Sequence, residues 1–525
     1  MSEMKGFSAE MPIGCESVYF VRGDLPIEVL TRSLQSLLPT RYQAIVPRPF
    51  TILDTFDGRI RKNGARLTIR LNDGRPRLAW QPRYGGRVLE VDLAQAPCFV
   101  WDVPAGPLRN ELMPVIGARR LLPQVDASHS GTLLDILDRR SKTVARVRIE
   151  SGQARSPRSP TWHSLPTMLI LSGLRGYDDE YARLKPVIES RPGLQVCPED
   201  PVAVMLRHLG LPVRDEISCP RVQLAASIPA EVGARQIYLS LLEMMRTSEP
   251  GLRDNLDTEF LHDFRVTVRR TRSLLSQIQG VFAPEIIERF AREFSWLGKL
   301  TGAPRDLDVL MLTLRERQVE FPSDDMDVLV DFLVRVQQRQ RRELIDALDS
   351  DRYARLLTEW EAFLRQPILC ETSTKSRLRQ IVSLRAWRLS RRIARRAKAI
   401  DDRTPAKRLH EVRIAAKKLR YLIDVTPGFY AAEDLDRILR PLKKVQRVLG
   451  DFNDAHVQER RLLEYRRALA AEGGPQGALV ALVRLASESR RRRSELRGHV
   501  SKVLSRFGTK TTRSACRRAF KDASA

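Results

Sequence analysis

A single offset ties together two stretches of this chain. HDFRVTVRRTRSLL begins at His262 and HEVRIAAKKLRYLI begins at His410, 148 residues later, and the offset then holds without a gap. Gly280 falls on Gly428, Glu285 on Glu433, Arg289 on Arg437, Arg292 on Arg440, Gly302 on Gly450, Asp306 on Asp454 and Val309 on Val457. With the histidines, Arg265/Arg413, Arg272/Arg420, Leu274/Leu422 and Ala283/Ala431, 12 of 48 positions are identical. Arginine-rich composition raises chance matches, but it does not align a His, two Gly and an Asp in one register. A duplication constrains the fold more than any other feature, because both copies must form the same supersecondary unit. The length of each copy suits a bundle of about four helices.

At 100° per residue, His410, Arg413, Lys417 and Arg420 fall within an arc of about 80°, with Val412, Ala416, Leu419, Leu422 and Ile423 on the opposite side. His262, Arg265, Arg269 and Arg272 repeat that face in the first copy, with Phe264, Val268, Leu274 and Leu275 behind it. Such a strip is about 15 Å long, enough for several phosphates of an extended chain. Arg offers a bidentate fork to phosphate oxygens and Lys a point charge, while a His beside them can donate one N–H when neutral or two when protonated. Neighbouring cations lower the His pKa, which favours a neutral donor. Taken alone, either strip also fits a solvent-facing helix; the retained pair points to a two-sided groove or channel.

Charge follows the same division. The net charge is +26, from 90 Lys and Arg against 64 Asp and Glu; residues 1–250 carry +6 of it and residues 251–525 carry +20. A polyanion is the expected partner, bound mainly by the second half. SLRAWRLSRRIARRAKAI adds Arg385, Arg388, Arg392 and Arg395 at helical spacing, and LRPLKKVQRVLG adds Lys443, Lys444 and Arg447; these deepen the groove or are ordinary bundle surface. Asp306 and Asp454 are read as structural, orienting an Arg or capping a helix. His456 has no counterpart in the first copy and supports no metal site.

Residues 50–175 have a different texture, with period two. In ARLTIRLNDGRPRLAWQPRYGGRVLEVDL, Leu67, Ile69 and Leu71 alternate with Arg66, Thr68 and Arg70, and Asn72-Asp73-Gly74 and Gly85-Gly86 turn the chain. TVARVRIESG and TMLILSG read as further strands, separated by QARSPRSPTWHS, a loop on composition. Pro- and Gly-rich segments between residues 190 and 223 mark a boundary, and beyond residue 228 the chain is helical in composition.

Cys15, Cys98, Cys197, Cys219, Cys370 and Cys516 show no disulfide or zinc spacing, so reduced thiols and no metal are expected. The first twenty residues lack a basic region followed by an apolar core, and no run approaches the roughly 18 apolar residues of a membrane span. A cytoplasmic protein with no membrane partner is the expectation. Nucleic acid is one polyanion the charge would suit, but aromatic residues are 6% of the chain and do not interleave the cationic strips as single-strand readers require.

The paired motifs HDFRVTVRR with LGKLTGAPRDLDVL and HEVRIAAKKLRY with LGDFNDAHV resemble the conserved histidine α-helical, or CHAD, domain over residues 228–508. That resemblance implies two pseudo-symmetric four-helix bundles around a basic channel that binds inorganic polyphosphate and targets the protein to polyphosphate granules, with no catalysis and no cofactor. It places His262, Arg265, Arg269 and Arg272, and His410, Arg413, Lys417 and Arg420, at the binding surface; Arg270 and Lys418 beside them are further candidates.

More faintly, DTFDGRIRKNGARLTIRLNDGRPRLAWQ resembles the CYTH domain of triphosphate tunnel enzymes, which implies an antiparallel β tunnel with Arg59, Arg61, Lys62, Arg66 and Arg70 as candidate phosphate ligands. The family's Glu-x-Glu-x-Lys strand is reduced here to Glu16 in CESVYFVR, and TMLILSG lacks the acidic residues of a later strand. Metal-assisted phosphoryl chemistry needs converging carboxylates, so a degenerate domain is expected, with triphosphatase activity as the alternative. The expected architecture is therefore α+β multidomain. A tunnel- or barrel-like β domain spans 1–200 and a linker 201–227. The helical domain spans 228–508, in repeat units of about 228–370 and 375–508, and a basic tail occupies 509–525.

Overall fold

The computed structural model describes residues 16–522 apart from 24, 84–86, 175, 214–221, 318–323, 367–376 and 402. The chain forms two compact units, Met1–Glu216 and Ile217–Ala525. Gly85-Gly86, the repeat boundary at 370–375 and Cys15, Cys219 and Cys370 lie outside the described residues. Cys98, Cys197 and Cys516 are free thiols.

The first unit is an antiparallel sheet with helices on it. Its elements are β1 (Glu16–Val21), α1 (Ile27–Gln35), β2 (Thr40–Ile45), β3 (Phe50–Asp54), α2 (Arg59–Lys62), β4 (Ala65–Asn72), β5 (Arg75–Pro82), β6 (Leu89–Asp92), α3 (Pro107–Ile116), β7 (Leu122–Leu137), β8 (Thr143–Arg155), β9 (His163–Gly173), α4 (Asp178–Glu189), β10 (Leu194–Cys197) and α5 (Pro201–His208). The strands run in the order β10-β1-β9-β8-β7-β3-β4-β5-β6, with β2 also on β7.

The predicted meander is present. β4 and β5 are joined by Asp73-Gly74 at φ 50° and 77°, the pair of left-handed residues that a two-residue hairpin needs. The loop read over 153–164 is shorter, because β8 continues to Arg155 and β9 starts at His163.

β7 has no clean period-two signal, and the structure shows why. Val125 and Ala127 face one core, packed with Ile52, Ile170 and Met205, whereas Leu134 and Ile136 face another, packed with Leu30, Leu34 and Ile188. The change of face occurs around Gly131, where a Cβ would lie 2.0 Å from the Ile149 carbonyl oxygen, so glycine is required for the close approach.

Residues 201–208, expected in the linker, instead form α5. The Asp200 carboxylate caps it by accepting from the amides of Val202 and Ala203, and Val202, Val204, Met205 and Leu206 are buried in the sheet core. A proline at the first helical position, read from composition as a linker signal, is what helix starts favour.

The second unit contains α6 (Ala230–Arg253), α7 (Thr258–Leu275), α8 (Pro284–Leu300), α9 (Gly302–Arg317), α10 (Asp324–Leu348), α11 (Asp351–Arg365), α12 (Leu378–Ala397), α13 (Ala406–Val425), α14 (Ala432–Ala471), α15 (Gln476–Phe507) and α16 (Lys510–Cys516). The helix starts Ala230/Leu378, Thr258/Ala406 and Pro284/Ala432 all differ by 148 residues. Pro229 and Arg377, equivalent under the same offset, are joined by an isolated β-bridge, which places it on the pseudo-twofold axis. α8 and α9 of the first copy correspond to the single 40-residue α14 of the second. Pro304 interrupts the first copy by removing an amide donor and restricting its predecessor; Phe452 stands there in the second.

Helices α6, α7, α8 and α11 form one bundle around Tyr238, Phe290, Phe294 and Trp360. α12 and α13 pack with α14 and α15 in the equivalent arrangement. The two copies are not independent, however. Leu307 and Leu310 of α9, Leu329 and Phe332 of α10, Leu462 and Tyr465 of α14 and Leu482 of α15 make one shared core.

The expected basic tail is not a tail. Thr509 caps α16, Ala515, Cys516, Ala519 and Phe520 are buried, and the segment packs on α12 and α14. Its apolar stripe at i, i+1, i+4 and i+5 is a helical signal that the basic residues around it mask.

Candidate functional site

The apolar faces of the two motifs seat them in the bundles: Phe264, Val268, Leu274 and Leu275 on α7, and Val412, Ala416, Leu419, Leu422 and Ile423 on α13, are all buried. Their polar faces converge on one cavity of about 1000 Å³. α7 supplies His262, Arg265, Val266, Arg269 and Arg272, and α13 supplies His410, Arg413, Ile414, Lys417 and Lys418. Ser295, Arg305, Asp306, Asn453, Asp454 and Arg461 complete the wall from α8, α9 and α14.

Several of these side chains are held in place. Arg265 donates to the Gly298 carbonyl at 3.0 Å and Arg272 to Ser295 Oγ at 3.2 Å. Gly298 is what lets Arg272 lie against α8, since a Cβ there would meet its guanidinium at 2.7 Å. Arg413 is 3.6 Å from Asp454, and Asp306 lies in the field of Arg265. The Arg-orienting role read for these aspartates fits that geometry. His410 Nδ1 is 3.2 Å from Asn453 Oδ1. When Nδ1–H donates to Asn453, a neutral ring has no N–H left for a ligand.

Lys417 carries the strongest electrostatic signature. Burial, then Arg269 and Arg413, pulls its ammonium down to about 7, with Asp454 opposing weakly. Burial raises the Asp306 carboxyl, and Asp454 adds to this while Arg265 and Arg461 oppose it. Lys417 and Lys418 make no ion pair among the described residues. The site is a crowded cationic cavity that gains from a multivalent anion.

Some sequence candidates lie elsewhere. Arg270, one residue or 100° round the helix from Arg269, is buried and 3.8 Å from Asp424. Arg420 pairs with the same Asp424 at 2.5 Å, one turn along α13. Both are corrected to structural residues. Arg385, Arg388 and Arg392 line an adjoining pocket of about 390 Å³. Arg395, Lys443, Lys444 and Arg447 line neither cavity and are exposed on outer helix faces.

Arg305, Arg461, Asn453, Ser295 and Tyr421 were not legible as site residues. Arg305 adjoins the repeated Asp306, but Arg461 and Tyr421 replace Thr313 and Ser273 of the first copy, so the repeat gives no signal for them.

In the first unit, Arg59, Arg61 and Lys62 sit on α2 rather than on a strand, and the first and last are tied to Asp57. Arg70 pairs with Glu90 at 2.9 Å. Arg66 bonds Gln81 and belongs to a charged cluster missed in sequence. In that cluster Arg83 bridges Glu16 at 2.7 Å and Asp200 at 3.1 Å, while His129 is 3.4 Å from Glu150. Burial alone would raise the Glu150 carboxyl, but Arg148, His129 and Arg66 outweigh it and hold it at about 2. Among the described residues no three His, Cys, Asp or Glu are placed to share a metal ion, and no helix is long and apolar enough to cross a membrane.

Two uncharacterized proteins of Mycobacterium tuberculosis, from strains CDC 1551 and H37Rv, are 29% identical to this chain over 221 residues. Each match covers 40% of this chain and 41% of the relative, so about two fifths of the relatives' length is spanned. The crystal structure of the CHAD domain from the plant Ricinus communis is 25% identical, with a TM-score of 0.43, over 57% of this chain and 94% of that one. The family model for the CHAD domain matches residues 236–463, which take in both histidine motifs and nearly all of the cavity wall. This chain therefore carries a CHAD domain in its helical unit.

Proposed function

We propose that this protein binds inorganic polyphosphate, without transforming it, in the cavity between α7 and α13, and through that binding associates with polyphosphate granules in the cytoplasm. The observation that carries the reading is the convergence of His262, Arg265, Arg269 and Arg272 with His410, Arg413, Lys417 and Lys418 on one cavity. A linear phosphoanhydride presents anionic oxygens along its whole length, so it can engage both strips at once. Its displaced counterions supply much of the driving force. Other granule proteins are further partners in this reading, and duplex nucleic acid is a non-specific competitor.

Titrating the full chain with polyphosphate tests the reading. Binding weakened at least about tenfold by R413A/K417A, from the loss of two charged contacts of roughly 1 kcal/mol each, supports it; absence of binding overturns it. Competition with duplex DNA at matched phosphate concentration and physiological salt ranks the two polyanions, and preference for DNA would replace the reading.

A second reading, triphosphatase activity in the first unit, is favoured by one observation, the charged cluster of Arg66, Arg83, Arg148, Glu16 and Glu150. Against it, Glu16 is already engaged by Arg83, and Glu150 lies under the influence of Arg148 and His129. Phosphate release from triphosphate with Mg²⁺ or Mn²⁺, lost on R66A, would establish it; no release is expected.

A further inference from the structure

The cavity is pseudo-symmetric, but what adjoins it is not. On the side of α12, a second pocket of about 390 Å³ shares Ser276, Ile414 and Lys418 with the main cavity. The two therefore adjoin along these residues. Arg385, Arg388 and Arg392 project into this pocket from successive turns of α12, spanning about 10 Å of helix.

The pseudo-twofold axis relates α12 to α6. At the 148-residue offset, the counterparts of Arg385, Arg388 and Arg392 are Ile237, Ser240 and Met244. The counterpart of Lys418 is Arg270, which is buried against Asp424. The positions that form a cationic pocket on one side hold two apolar residues, a serine and a paired arginine on the other. Three arginines were gained, or lost, in one copy only.

These cations are also largely uncompensated. Arg388, Arg392 and Lys418 make no ion pair among the described residues, and Arg385 bonds only the neutral side-chain amide of Gln279. Glu411, the one carboxylate lining the pocket among the described residues, is turned to Arg396 at 2.8 Å. Burial and Arg392 lower the Lys418 ammonium, and burial and Arg388 lower the Arg385 guanidinium, as expected of cations gathered without a counterion.

Resting on the polyphosphate reading above, we infer that the anion site continues out of the central cavity on one side only, along Arg385, Arg388 and Arg392. The protein thereby favours linear polyanions long enough to occupy cavity and pocket together. Tripolyphosphate fits within the central cavity and gains nothing from the extension. A long chain gains three further charged contacts and is held with one defined exit.

The test compares the full-length wild type with R385Q/R388Q/R392Q, using tripolyphosphate and long-chain polyphosphate over a range of salt. Three lost contacts at about 0.7 each make the long-chain salt slope shallower by about 2, with at least about tenfold weaker binding at moderate salt. Tripolyphosphate affinity stays within about twofold of wild type. Because Arg385 is half-buried, R388Q/R392Q is measured beside it, with about two thirds of the slope change expected from the two exposed positions. Equal losses for short and long ligands, or no loss for either while wild type binds both, overturn the inference alone. Wild-type protein that binds no polyphosphate of any length overturns this inference and the reading it rests on.

Discussion

Lys417 and Arg269 occupy the same position in the two copies of the repeat, and after burial it is Arg269 that does most to strip Lys417 of its proton, holding it at about 7. Duplication has brought two cations together near the axis, and one of them yields. The cost is relieved when an anion enters between them.

Affinity for polyphosphate should therefore depend on pH in a defined direction. Below about 7 Lys417 is charged before the ligand arrives. Above it, binding must take up a proton, and affinity falls by up to about tenfold per pH unit. Calorimetry at pH 8.5 in buffers of different ionisation heat should show uptake approaching one proton. K417R, whose guanidinium stays charged, should flatten the profile. Stability runs the other way. The Lys417 pKa is depressed from 10.5 to about 7, so between those values the folded chain holds fewer protons than the unfolded one. Stability of the helical unit should then rise with pH across that window. Flat affinity from pH 6 to 9 would remove Lys417 from the site.

Salt should separate cavity cations from surface ones. R265A, R269A, R413A and K417A should each take about 0.7 off the slope of log affinity against log salt. K443A/K444A/R447A, with those side chains outside the cavity, should leave it unchanged. A slope that falls equally for both sets would indicate diffuse attraction to a basic surface.

Arg270 and Arg420 should behave as structural residues despite their charge. Arg270 is buried beside Asp424, and R270A should cost about 1–3 kcal/mol through lost packing and one lost partner of Asp424, which keeps Arg420. The more exposed Arg420 should cost about 1 kcal/mol or less. Denaturant unfolding measures both. Polyphosphate affinity of R420A, compared where the protein is fully folded, should stay within about twofold; a tenfold loss would return Arg420 to the binding surface.

The shared core makes the copies interdependent. Leu333 and Leu462 are fully buried in it, and Leu333→Ala or Leu462→Ala should each cost about 2–5 kcal/mol. Because α9 and α10 of one copy complete the core of α14 and α15 of the other, residues 217–525 should still unfold in one transition. Two separated transitions in either variant would show independent bundles.

The register of the duplication and the strips on α7 and α13 were legible in sequence, because helical period and identity at a fixed offset are local properties of the chain. The β4–β5 hairpin was legible for the same reason, since Asp73-Gly74 carries its own turn geometry. β7 was not, because its buried face changes at Gly131 under the demands of two different cores. Nor were α5 and α16, whose apolar residues were outvoted by proline and by arginine in a reading of composition.

Which cations serve the site is a tertiary matter. Arg269 and Arg270 are neighbours in sequence, yet helix rotation sends one into the cavity and the other to Asp424. Arg420 repeats Arg272 and still turns away, because Asp424 lies one turn along its own helix. By itself the sequence determined that there are two matched cationic helices. Only the packing of α7 against α13 decided that they share one cavity, and only the unlike faces of α6 and α12 decided that its basic extension lies on one side, because charge becomes a site when the fold removes its counterions and its water.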